Sequence, residues 1–396
     1  MRVVIAGTGL GGLCLAHGLR RSGVDVVVLE RHPTPDARPA GYGIHLNADG
    51  LRALHTCMPE ENWARLVATS TPAPDVVRFH DQDLRVLAER DHTGTPANAD
   101  PVTRRRAVNR DALRDALLLG CDSLIHWGTA FDRFEYTGDG VRVHTSDGRA
   151  IDADLLVGAD GANSRVREQR LPDLRRQDLG IANIAGRVRL TPGLASALPA
   201  TLIDGAVNNV VPARPGWLFL STWDAGADAR YVVWAWAADR STYPDDLDTA
   251  EPARLRELVR DRTVGWAPPL RRMIAETDPA TITAIPLKTM PELPYWAPTA
   301  VTLLGDAIHA MTPMAGIGAN TALRDADTLR RNLAGDGGVR GYEADMRAYA
   351  NAALALSTRN ARGAATTSRL PRHAFRTVLR LAEALPPVKQ RVFPVR

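Results

Sequence analysis

The chain has 396 residues, 45% of them hydrophobic and 24% charged, enough for two domains or for one large domain carrying an inserted sheet. Its formal charge is only +4, and the basic residues are arginine everywhere except Lys288 and Lys389. They cluster briefly at Arg104-Arg105-Arg106, with acids dispersed nearby, and through the C-terminal arm, without the interleaved aromatics of a nucleic-acid surface, so none is expected. No apolar run approaches the roughly 20 residues of a membrane span, and Cys14, Cys57 and Cys121 form neither a disulfide framework nor a metal-ligand spacing; a cytoplasmic protein without metal or stable membrane insertion is expected.

Residues 2–6, "RVVIA", read as a short buried strand. The apolar start resembles a signal peptide, but its glycines argue against a helical core for one. Gly7-Thr8-Gly9-Leu10-Gly11-Gly12 then satisfies G-x-G-x-x-G, "LCLAHGLRRSG" has helical periodicity, and "VDVVVLE" is a second buried strand ending on Glu30. This βαβ unit is the dinucleotide-binding pattern. Gly7 permits the tight turn, Gly9 lets backbone approach a pyrophosphate, and Gly12 lets the helix pack close to the sheet. The helix N-terminus offers N–H groups to that pyrophosphate, and Glu30 is expected to accept from a ribose hydroxyl. Arg31 directly after it favours FAD over NAD.

Further on, "DLLVGA" is a strand ending on Asp160-Gly161, with Ser164 as the N-cap of the next helix. Arg165 and Arg167 sit in the first turn of that helix, where the dipole disfavours them, which points to a role outside it. Between 180 and 290 the pattern changes to "GIANIAGRVRL", "TLIDGAVNNVVPA", "GWLFLSTWDA" and "RYVVWAWAAD", four strands of an inserted sheet. Trp217, Trp223, Trp234 and Trp236 fall here. Alternation puts Trp234 and Trp236 on one face; as core they are unremarkable, and as pocket wall they imply an apolar or aromatic ligand.

At 301–326, "VTLLGDAIHAMTPMAGIGANTALRDA", an apolar strand stops at Gly305-Asp306, and a loop of Pro, Met and Gly leads into a helix. Alone this is either an ordinary strand-to-helix turn or a seat for an anion or a polar ring. After Gly337-Gly338 the chain is helical by periodicity. The basic tail 369–396, interrupted by Pro371, Pro386-Pro387 and Pro394, reads as a helix bridging the domains, with a membrane-surface helix as the alternative.

The three glycine–acid segments, in this order over residues 2 to about 330, resemble the class A flavoprotein monooxygenases, the para-hydroxybenzoate hydroxylase-like group. The resemblance implies an α/β fold, with a Rossmann-like FAD-binding domain (1–70, 101–178 and 290–335), an inserted, mostly antiparallel substrate sheet (71–100 and 179–289) and a C-terminal helical region (336–396). It implies FAD ligands at Gly7, Gly9, Leu10, Gly11, Gly12, Glu30, Arg31, Arg110, Asp160 and Asp306, with Pro313, Gly316, Ile317, Gly318 and Asn320 shaping the floor under the flavin ring. The segment 40–54, "AGYGIHLNADGLRAL", resembles the stretch that passes near the flavin, which adds Gly43 and makes His45 a candidate substrate contact beside Trp223, Trp234 and Trp236. His309 is read as structural or cofactor-proximal. Ile308 and Ile317 depart from the commonest residues of the late motif.

The resemblance also implies an activity. FAD is reduced by transient NADPH or NADH, for which there is no second fingerprint, and O2 then yields a flavin C4a-hydroperoxide that hydroxylates an aromatic or polycyclic small molecule, as in natural-product tailoring. A catalytic base is not assigned, and a monomer or homodimer is expected. Alternatives are a Baeyer–Villiger oxygenation on the same fold, a flavin dehydrogenase, or a flavin-dependent halogenase. "WAWAAD" at 234–239 lightly echoes the halogenase tryptophan motif, but Lys288 and Lys389 both come too late for the halogenase lysine.

Overall fold

The computed structural model describes residues 1–37, 42–224 and 230–394. Ala40, Gly41, Ala225 and residues 395–396, which belong to the segments expected above, lie outside the described residues.

A five-stranded parallel sheet forms the centre, in the order Val301–Leu303, Leu155–Gly158, Arg2–Ala6, Asp25–Glu30 and Ile125–Trp127. Its inner strands are nearly unbroken apolar runs because helices cover both faces. Helix Leu10–Arg21 crosses between the first two strands in sequence and is buried on all sides from Leu10 to Leu19. The strands end together at Gly7, Glu30, Asp160 and Gly305, so all the expected cofactor loops open at the carboxyl edge of one sheet, where open α/β sheets bind ligands.

The second layer is a seven-stranded sheet in the order Thr283–Thr289, Gln177–Arg189, Arg230–Asp239, Trp217–Asp224, Val207–Val210, Val76–His80 and Val86–Asp91. It is antiparallel except where Val207–Val210 runs parallel to Val76–His80. The four expected strands are all present, joined by one strand from 283–289 and two from the 71–100 segment. One face packs on helices Pro252–Arg262 and Pro268–Ala275 through Leu255, Val259, Leu270 and Ile274. A small sheet of Gly43–Leu46, Arg106–Asn109 and Ser70–Pro72 sits between the layers. A hairpin-built sheet of Phe131–Tyr136, Val141–Thr145 and Ala150–Ala153 precedes the Leu155 strand.

Helices Gly338–Ala365, Arg369–Ala384 and Pro386–Val392 close the chain. Pro371 does not interrupt the second of these, contrary to the sequence reading. It lies in the first turn, where its missing N–H has no intrahelical partner to lose. Pro386 does mark a break, and starts the last helix. Among the described residues no helix is long and apolar enough to cross a membrane.

Candidate active site

The first glycine loop is shaped by close contacts. Gly7 has φ +110°, and a Cβ there would stand 2.5 Å from the Ala159 carbonyl oxygen. Its N–H donates to the Leu29 carbonyl at 2.8 Å. At Gly12 a Cβ would stand 2.4 Å from the Gly7 carbonyl oxygen, and at Gly11 2.8 Å from the Leu304 side chain. Gly9 differs: a Cβ there meets only the Ala159 carbonyl oxygen, at 3.7 Å. Helix Leu10–Arg21 has no side-chain cap and no acid in its first turn, so its first N–H groups and its positive end remain available to an anion. Buried Glu30 is engaged within the chain. One oxygen accepts from the Thr8 amide at 3.1 Å and from the Thr8 hydroxyl, the other from the His32 amide at 2.9 Å. The carboxylate assigned to a ribose thus also fixes the glycine turn to the second strand. Arg31 is exposed on the same wall.

In the middle motif, Asp160 Oδ2 accepts from the amides of Arg165 at 2.8 Å and Val166 at 3.3 Å, while Ser164 caps the amide of Arg167 at 2.9 Å. Asp160 Oδ1 is buried without a partner among the described residues, and burial pushes the carboxyl pKa up. Arg167 does act outside its helix: its buried guanidinium donates to the carbonyl of Ala307 at 2.8 Å and to that of Ala162 at 3.1 Å, tying the middle motif to the late one.

The late loop is organised by a buried acid that the sequence reading did not single out. Asp325 Oδ2 accepts from the Gly305 amide at 2.7 Å and pairs with His309 Nε2 at 2.6 Å; its Oδ1 accepts from the Tyr349 hydroxyl at 2.6 Å. Burial pulls His309 toward the neutral form, but the Asp325 carboxylate outweighs it and raises the pKa. Gly305, at φ +60°, turns the chain so that Asp306 stands exposed on the cavity wall. Pro313–Ala315 makes a single tight turn, Gly316 is left-handed at φ +64°, and after Ile317 helix Gly318–Ala334 begins with neither a side-chain cap nor an early acid. Asn320 does not present its amide to the ring floor. Its Oδ1 accepts from the Asn47 amide at 2.9 Å, and its Nδ2 donates to the His45 carbonyl at 2.9 Å. Arg110, at the start of helix Arg110–Leu118, is exposed and has no hydrogen bond or ion pair among the described residues.

These groups line one cavity of about 2710 Å³. Two uncapped helix N-termini, the open side of Gly9, the unpartnered Arg110 and the orphaned Asp160 Oδ1 suit a long dinucleotide with a charged pyrophosphate and several hydroxyls. The donor set fits FAD.

The same cavity continues over the seven-stranded sheet. His45, on the strand clamped by Asn320, donates Nε2–H to the Gly205 carbonyl at 3.2 Å, which leaves Nδ1 as an acceptor, and its ring lies 5.2 Å from that of Trp223. Burial, reinforced by nearby Arg105, pulls the imidazole pKa down to about 3. The folded chain refuses a proton that the unfolded chain takes below about pH 6.5. His45 therefore costs stability as pH falls from there toward 3. An NMR titration should find its ring neutral from pH 8 to 5; a midpoint near 6.5 would contradict this site.

Trp223 presses on Gly43, where a Cβ would stand 1.9 Å from the indole, and its buried Nε1 has no partner among the described residues. Asp75 Oδ1 is shared by Arg105 at 2.7 Å and Arg90 at 2.8 Å, two cations on one anion in the cavity wall. Burial pushes the Asp75 pKa up, but the two guanidiniums prevail and lower it. This cluster comes from three separate segments and carried no sequence signal.

Trp234 and Trp236 are not in the cavity. They are fully buried on the opposite face, against the Pro252–Arg262 and Pro268–Ala275 helices, with Trp234 Nε1 donating to Thr277 at 2.8 Å. The cavity face of their strand carries Val233 and Ala235, and the neighbouring strand contributes Trp217, Phe219 and Trp223.

The fold and the cavity define a flavin-dinucleotide-binding protein. A family model described as "FAD binding domain" matches residues 1–364, and the chain belongs to this family. Among its relatives is the dual O-methyltransferase/FAD-dependent monooxygenase elcB of Phaeosphaeria nodorum, 28% identical over 372 residues, 84% of this chain and 40% of that protein. The chain thus spans less than half the length of the curated relatives it matches first. An FAD-containing protein from Photorhabdus luminescens superposes with a TM-score of 0.84 at 38% identity, covering 92% of this chain and 98% of that one. Klebsiella pneumoniae HpxO, crystallised with FAD and uric acid, shares the fold with a TM-score of 0.82 at 23% identity, over 98% of this chain and 95% of its own.

Proposed function

We propose that the protein is an FAD-dependent monooxygenase that consumes NADPH or NADH and inserts one oxygen atom from O2 into an aromatic or polycyclic small molecule. The observation that carries this reading is the single cavity. It runs from the glycine loops at the carboxyl edge of the parallel sheet to a wall that holds Trp217, Phe219, Trp223 and His45. Residues 1–70, 101–178 and 290–335 would hold the cofactor, and 71–100 with 179–289 the substrate.

Bound FAD would supply the redox chemistry, accepting electrons from the nicotinamide and passing them to oxygen. The chain holds and orients it. The first N–H groups of Leu10–Arg21 and Arg110 would hold its phosphates, and the N-terminus of Gly318–Ala334 would favour negative charge on the ring. On the substrate side, His45 Nδ1 accepts from a phenolic hydroxyl or ring N–H, Trp223 covers the aromatic face, and the apolar wall excludes water. A neutral His45 positions the substrate and does not serve as a strong base.

Anaerobic mixing of the FAD-loaded protein with NADPH or NADH tests the reading. Loss of oxidised-flavin absorbance should accelerate at least tenfold with one class among phenols, quinolones and polycyclic aromatics. Absence of reduction by either nucleotide under all conditions would overturn it, in favour of an enzyme fed by a separate reductase or of a dehydrogenase with another donor.

A further inference from the structure

The cavity is longer than an aromatic head needs. Along strand Trp217–Asp224, Trp217, Phe219 and Trp223 all face it, and six residues of strand span about 20 Å. The Trp223 end adjoins His45. At the Trp217 end, Phe79 packs on Trp217, Phe375 and Phe393 with ring centroids 5.9 to 6.3 Å apart, and Trp217 packs on Phe375 at 6.1 Å, an aromatic cluster on the cavity wall. The polar atom of its indole is already used, since Trp217 Nε1 donates to Asn209 at 2.9 Å, so the cluster offers hydrocarbon contact and no hydrogen bond.

Two of its four rings come from the C-terminal region, Phe375 on helix Arg369–Ala384 and Phe393 just past helix Pro386–Val392. Helix Arg369–Ala384 is held onto the sheet by buried Arg372, donating to the Gly216 carbonyl at 2.9 Å, and by buried Arg376, donating to that of Val211 at 2.5 Å. Yet Phe375 on the same helix remains 40% exposed at the cavity wall, apolar surface that a ligand would cover.

We propose that the substrate is elongated and amphipathic, with a hydrogen-bond-donating aromatic head against His45 and Trp223 and an apolar tail along the Phe79–Trp217–Phe375–Phe393 cluster. This rests on the monooxygenase reading for which end reacts, but tail binding can be measured without turnover.

The test titrates the FAD-loaded full chain with 4-decyl-, 4-dodecyl- and 4-tetradecylresorcinol, whose tails are long enough to run from His45 to the far end of a strand of about 20 Å, following flavin absorbance and tryptophan quenching. Affinity should rise about fifteenfold for every two methylenes, the equivalent of ~0.8 kcal/mol per buried CH2. Phe375→Ala and Phe393→Ala should each flatten that gradient to about threefold. Leu370→Ala, exposed on the same helix and away from the cavity, should keep it. A flat series in the native chain, or an undiminished gradient in both phenylalanine variants, overturns the tail site. A full gradient with no reduction of the flavin by NADPH or NADH under any condition would leave the tail site standing and remove the monooxygenase reading.

Discussion

Replacing Asp325 by alanine is expected to destabilise the protein by about 3–5 kcal/mol, the usual result of removing one partner from a buried charged pair. The carboxylate is fully buried and receives the Gly305 amide, the His309 ring and the Tyr349 hydroxyl. Its loss strands two buried donors, the Gly305 amide and the His309 ring, together with the half-buried Tyr349 hydroxyl. The loss is large against the 5–15 kcal/mol that is typical of a whole domain. It also falls on the cofactor loop, because Gly305 sets the turn that presents Asp306. Urea unfolding of the flavin-free chain and a titration with FAD should both register it.

The pH dependence gives a second reading of the same group. His309 has a folded pKa raised above its unfolded value. The stability it contributes is complete below about pH 6.5 and is lost as pH rises through the folded value. The gap between the native chain and Asp325→Asn, which keeps an acceptor but not the charge, should therefore narrow toward alkaline pH. An unchanged unfolding midpoint and FAD affinity in Asp325→Ala would mean that Asp325 does not organise the loop.

How much of this was legible follows from what each pattern encodes. The parallel core was readable because its strands are short apolar runs ending on glycine or an acid at fixed spacing, and each step depends on near neighbours. Alternation put Trp234 and Trp236 on one face but could not say which face meets the cavity. That is decided by helices Pro252–Arg262 and Pro268–Ala275, which cover one side of the sheet. Asp325 lies in "LRDADTLRR", where it reads as one more solvated charge. Its burial depends on a glycine and a histidine 20 and 16 positions earlier. Asn320 shows the opposite limit: it was singled out by its place in the late motif, and the structure uses its amide on the backbone of His45 and Asn47. Position in a motif fixes where the backbone goes more firmly than where a side chain points.

That distinction can be tested within the first glycine loop itself. Alanine at Gly7 puts a methyl 2.5 Å from the Ala159 carbonyl oxygen at φ +110°, costing about 1–3 kcal/mol for overpacking and about 1–2 kcal/mol more for the backbone. Alanine at Gly12 meets the Gly7 carbonyl oxygen at 2.4 Å, backbone that cannot swing away. Both variants should lose stability in the flavin-free chain, and FAD binding with it. Alanine at Gly9 meets only the Ala159 carbonyl oxygen at 3.7 Å, an ordinary contact, so the flavin-free chain should unfold within about 0.5 kcal/mol of the native one, as for a change away from tight packing. Its methyl nevertheless stands beside the uncapped first turn of Leu10–Arg21, where a pyrophosphate must reach backbone N–H groups. FAD affinity should fall at least thirtyfold, read by fluorescence titration. If Gly9→Ala binds FAD as well as the native chain does, the phosphates do not lie on this helix end. If it loses stability as Gly7→Ala does, the loop is as tightly packed at Gly9 as elsewhere and the glycine there answers to the fold, leaving the cofactor no special claim on it.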